Sequence, residues 1–82
     1  MKKVYVLVDS YSPDIRVYEN PFDAFHYIVD TLNYYYHYLK KFTADDLVNA
    51  VNELADSYEQ ETGFFGCTIG DLSMNCYMKA VH

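Results

Sequence analysis

The stretch FFGCTIGDLSMNCYMKAV, Phe64–Val81, decides the fold. Phe64 to Ile69 and Leu72 to Val81 are strand-like runs flanking Gly70-Asp71, a pair suited to a tight β-hairpin turn. By parity Phe65, Cys67, Ile69, Leu72, Met74, Cys76 and Met78 share one sheet face, the core side. Cys67 and Cys76 lie on that face in either of two registers. A two-residue turn pairs Ile69 with Leu72 and leaves the cysteines diagonal. A four-residue loop pairs Ile69 with Met74 and sets them opposite, and only that register allows a disulfide. Zinc would need two further ligands, for which only His82 is near. Buried free thiols are the expectation.

At the other end of the chain Val4, Val6 and Val8 alternate with Tyr5, Leu7 and Asp9, a strand pattern. Ser10-Tyr11-Ser12-Pro13-Asp14 is turn chemistry, and Ile15 to Tyr18 reads as the returning strand. Between the hairpins lie two helices. Asn20 caps the first, Pro21 takes its first position, and the pattern runs to Lys40-Lys41. Thr43 with Asp46 three residues on resembles a capping box for the second, which Gly63 stops. The order ββααββ predicts one α+β domain over residues 1–82, a four-stranded antiparallel sheet packed against two helices.

Helical spacing sorts the faces. In the second helix Leu47, Val48, Ala50, Val51, Leu54, Ala55 and Tyr58 fall on the buried side. Asp45, Asp46, Asn49, Asn52, Glu53, Asp56, Glu59 and Gln60 fill the other. The first helix buries Phe25, Ile28, Val29, Leu32, Tyr36 and Leu39 and exposes Asp23, His26, Asp30, Asn33 and His37. Tyr27, Tyr34 and Tyr38 form a stripe at the border of core and water. On the sheet, Tyr5, Leu7, Tyr18 and Tyr77, joined by Phe64 and Val81, are expected to point away from the helices. An outer face so apolar invites a partner.

Charge bounds the function. The chain has 82 residues, twelve acids against six bases, a net charge of −6 and 18% aromatic residues, ten of them Tyr. That balance argues against direct binding to nucleic acid or an anionic membrane, because both reward a basic face. No uncharged run approaches the roughly 20 residues a bilayer requires, and Val4–Val8 is short for a secretion signal. A cytoplasmic protein is the expectation. From Phe42 to Met78 there is no Lys or Arg, while seven acids occur. Six of them ride on or beside the second helix over about 24 Å, roughly one charge per 4 Å, close to the spacing of phosphates along one DNA strand. A solvated face that keeps the protein soluble is the plainer reading of the same residues.

Enzyme signatures are absent. Gly63, Gly66 and Gly70 make no phosphate loop, and no nucleophile elbow, H-E-x-x-H or C-x-x-C occurs. His26 and Asp30 share a helix face, but His37 lies about 16 Å further along the axis, out of reach of the same ion. No catalytic activity, cofactor or metal is expected.

The acidic helix TADDLVNAVNELADSYEQE (Thr43–Glu61), the Tyr-rich helix Pro21–Lys41 and the small acidic ββααββ layout resemble the phage-encoded and mobile-element-encoded inhibitors of bacterial defence. The anti-CRISPR inhibitors of Cas9 are the group they are most similar to. The resemblance implies a host-cell cytoplasmic inhibitor that occupies a basic nucleic-acid-binding groove such as that of the Cas9–guide RNA complex. Asp45, Asp46, Glu53, Asp56, Glu59 and Asp30 would supply charge, and Tyr34 and Tyr38 directional contacts. The alternative is a structural or regulatory module that forms a homodimer through the aromatic outer sheet face.

Overall fold

A computed structural model of the chain describes residues 2–12 and 14–81. Pro13 of the first turn and His82, the remaining candidate zinc ligand, lie outside them. The elements are β1 (Lys2–Asp9), β2 (Ile15–Tyr18), α1 (Pro21–His37), α2 (Ala44–Glu59), β3 (Phe64–Ile69) and β4 (Leu72–Val81). All pairings are antiparallel in the order β2-β1-β4-β3, so the first and last strands form the centre of the sheet. This is the expected α+β fold. In the last hairpin Ile69 pairs with Leu72 across a two-residue turn, with Gly70 at φ 60°. Cys67 therefore faces Met74 and Cys76 faces Phe65, and both thiols are free and buried.

Local chemistry sets the helix starts. The Asn20 carboxamide accepts a hydrogen bond from the Phe22 amide at 2.8 Å, with Pro21 opening α1. Thr43 and Asp46 form the reciprocal capping box of α2: the Asp46 amide donates to the Thr43 hydroxyl and the Thr43 amide to the Asp46 carboxylate. Both helices end earlier than the pattern suggested. α1 stops at His37, with Tyr38 as its cap and Lys40 in the left-handed region at φ 52°. Leu39, expected in the core, is thereby carried past the helix and exposed. After α2 the left-handed position that stops the helix falls on Glu61 (φ 53°); Gly63, also at positive φ (83°), leads into β3, its carbonyl accepting the Met78 amide.

Both helices lie on one face of the sheet. Ala24, Ile28 and Leu32 from α1 and Ala50 and Leu54 from α2 join Leu7, Phe65, Cys67, Ile69, Leu72, Met74 and Cys76 in a single core cluster. Phe25, Tyr58 and Phe65 link the two helices to the sheet through ring contacts, with centroids 4.7 and 5.1 Å apart. Tyr35 packs edge-on against Tyr11 and Phe42. Val48, expected in the buried stripe, is exposed.

The faces of β1 are the reverse of the expectation. Leu7 is 1% exposed and sits opposite Cys76 on the helix-covered face, with Tyr5 opposite Met78 and Tyr18. The valines, with Ile15 and Val17 of β2, form the outer face. Both parities of β1 are apolar, so alternation could not choose between them. Asp9, on Leu7's parity, is buried at the turn, where its carboxylate accepts the Tyr11 amide at 2.8 Å. Tyr77, Phe64 and Val81 do lie on the outer face, as expected; Tyr5, Leu7 and Tyr18 do not.

Candidate functional site

α2 runs beside the edge strand β3, and its side chains satisfy that strand's outward amides. The Gly66 amide donates to the Ser57 hydroxyl at 3.2 Å, and the Thr68 amide donates to a Glu53 carboxylate oxygen at 2.9 Å. Ser57 and Glu53 are one turn apart, so one helix flank covers the edge that would otherwise invite another strand. Glu53, expected as a free binding charge, therefore holds the sheet edge. Asp46 is similarly engaged in the capping box.

The remaining acids of α2 are of a different kind. Asp45, Asp56 and Glu59 are exposed. The ion pairs among the described residues, Lys2–Glu19 at 2.6 Å and His26–Asp30 at 3.2 Å, involve none of them. Asp56 and Glu59 stand near the C-terminal end of the helix, where the last turn holds no basic residue. The helix dipole disfavours anions at that end, so these two carboxylates do not serve helix stability.

The shared core fixes how the two helices present themselves. With Ala24, Ile28 and Leu32 facing the sheet, helical spacing points Asp23, His26, Asp30 and His37 outward. With Ala50 and Leu54 facing the sheet, the same spacing points Asp45, Asp56 and Glu59 outward. The two helices form one layer, so these faces look the same way. Asp23 joins Asp30 on that surface, as helical spacing expected.

The tyrosines line its far border. Tyr27 stacks beneath the Arg16 guanidinium (4.4 Å to the ring centre) and beside Tyr18, which places that flank of α1 over β2. Tyr34 lies on the same flank two turns on, its ring tilted against that of Tyr38 with centroids 5.4 Å apart. They are 51% and 76% exposed. α2 borders the opposite flank through Phe25 and Tyr58. The fold thus separates Tyr34 and Tyr38 from the α2 acids by the solvent face of α1, with Asp30 between.

Asp71, the other acid of the basic-free stretch, is remote from α2's carboxylates in role. It accepts a hydrogen bond from the Tyr11 hydroxyl, which holds its carboxyl below the usual range and pushes the Tyr11 phenol up. Lys41 lies over the Tyr11 ring. Among the described residues no three His, Cys, Asp or Glu side chains gather as a metal site, and no helix is long and apolar enough to cross a membrane. No protein-family model, curated protein or solved structure matches the chain.

Proposed function

We propose that this protein is a non-catalytic inhibitor that lodges the solvent face of its helix layer in the basic groove of a bacterial nucleic-acid-binding defence enzyme, in the manner of an anti-CRISPR protein acting on Cas9. The observation that carries this reading is the set of exposed α2 carboxylates that make no ion pair among the described residues. Two of them stand where the helix dipole makes a negative charge unfavourable. Charge kept against the local preference of the helix is what an electrostatic competitor of DNA needs. Asp45, Asp56 and Glu59, with Asp30 and Asp23, are the binding charges in this reading. Asp46 and Glu53 chiefly hold the scaffold. Tyr34 and Tyr38 would reach the groove wall from the far flank of α1.

The test is competition for DNA binding by a Cas9–guide RNA complex, measured at low and moderate salt. The expected result is loss of DNA binding as inhibitor is added, with inhibition weakening as salt rises. Asp45→Asn with Asp56→Asn and Glu59→Gln should weaken inhibition roughly 10-fold to 100-fold, at about 0.5–1 kcal/mol per charge. An unchanged affinity and salt slope for the triple variant would defeat the reading.

A further inference from the structure

We propose that the outer face of the sheet seats a second copy of this chain, forming a two-fold α/β/β/α dimer that carries an acidic helix layer on each outer side. The helices cover only the inner face, and the Cα extent in the thinnest direction is 18 Å, the thickness of two layers. On the uncovered side Val8, Ile15, Val17, Phe64, Tyr77 and Val81 are 42–65% exposed. Val17, Val6, Tyr77 and Phe64 form one apolar row across all four strands, with Ile15 and Val8 beside it; Asn75 and Lys79 share the same face.

The size of that patch suits a dimer. Strands of 8, 4, 6 and 10 residues give a face of about 450 Å² in projection, at about 4.8 Å between strands and 3.3 Å per residue. Side-chain relief raises the accessible area to about 600–700 Å², within the roughly 600–1,000 Å² per partner of a standard interface. Sheet faces rich in β-branched residues interdigitate at about 10 Å separation with strands crossing near −30°.

Charge selects a copy of the chain as the occupant. A protein of net charge −6 repels itself unless its carboxylates are kept away from the contact. On the outer face Lys79 lies between Tyr77 and Val81, Glu19 at its edge is held by Lys2 at 2.6 Å, and Asp14 stands exposed beside Ile15, so the positive and negative charges there balance. The acids of α2 that make no ion pair among the described residues lie across the sheet. The outer face is therefore where two copies meet on charge-balanced surfaces away from the α2 acids, each presenting the apolar row the other needs. The two acidic layers then stand about 30 Å apart, three layer spacings.

Sedimentation equilibrium of the full chain between about 1 and 300 μM, at low and high salt, tests this. A mass twice the 9.6 kDa of the chain is expected, with little dependence on salt because the contact is apolar. Ile15→Lys with Val17→Lys, at the most exposed positions of the face, should weaken association more than 100-fold with circular dichroism unchanged. Tyr77→Lys on another strand should act in the same direction and reports if the first variant does not fold. Val48→Lys, an exposed apolar residue of the helix layer, should leave the dimer intact. A wild type of 9.6 kDa over the whole range would overturn the proposal. So would a dimer that survives the sheet substitutions or is lost with Val48→Lys. None of these outcomes depends on the DNA-competition assay.

Discussion

Cys67 and Cys76 titrate as buried groups. Burial, with the nearby Glu53 carboxylate adding to it, pushes the Cys67 thiol up to about 12; burial pushes Cys76 up to about 11. The native state therefore keeps both protons where the unfolded chain has begun to lose them. Below about pH 8 both states are protonated and these groups leave stability unaffected by pH. Between about 8 and 12 the unfolded state binds fewer protons, so stability falls as pH rises through the folded values. Urea midpoints measured at pH 8, 9, 10 and 11 should drop progressively, and a Cys67→Ala, Cys76→Ala variant should show a shallower drop. Alkylation by iodoacetamide at pH 8 should be slow in the native protein and fast in urea; rapid native labelling would refute the burial. Gly66 is set by its neighbours in a different way. A Cβ there would run into the Met74 carbonyl and lie 2.9 Å from the Asn75 Cα, so backbone alone excludes a side chain.

At the scale of the element, α2 combines two tasks on different flanks. Ser57 and Glu53 close the β3 edge, while Asp45, Asp56 and Glu59 face solvent. If Asp56 and Glu59 are retained for a partner, neutralising them should help the isolated fold. Asp56→Asn with Glu59→Gln is expected to raise Tm by about 1–3 °C at low salt, through relief of the helix dipole and of the i,i+3 repulsion. The same variant should bind the target less well. Opposite signs for stability and binding would separate a recognition surface from a solvated one, and a lowered Tm would contradict the dipole argument.

The whole molecule is an asymmetric sheet, helices on one side and a bare apolar face on the other. That asymmetry makes a sharp contrast within one strand. Leu7→Ala, which empties a site opposite Cys76 under the helices, should cost about 2–4 kcal/mol. Val8→Ala, one residue on and 42% exposed, should cost less than about 1 kcal/mol in the monomer. Thermal unfolding at low micromolar concentration compares the two. Equal losses would mean that β1 presents its faces otherwise than described.

Features that depend on near neighbours in the chain follow from the residues alone. The Asn20 and Thr43 caps, the Gly70-Asp71 turn, the inward face of the last hairpin and the amphipathic split of α2 were all legible, because hydrogen bonding and periodicity act over a few residues. From these followed the ββααββ order and the candidate acids of α2. Other properties waited for the tertiary structure. Apolar residues of both parities left the face of β1 open until pairing with β4 brought Leu7 opposite Cys76. Glu53 read as a free charge because its partner, the Thr68 amide, lies fifteen residues on. The separation of Tyr34 and Tyr38 from the acids of α2, and the common outward direction of the two acidic faces, depend on which flank of α1 meets α2. Side chains distant in sequence decide that, through the packing of Phe25 on Tyr58 and of Tyr27 beneath Arg16.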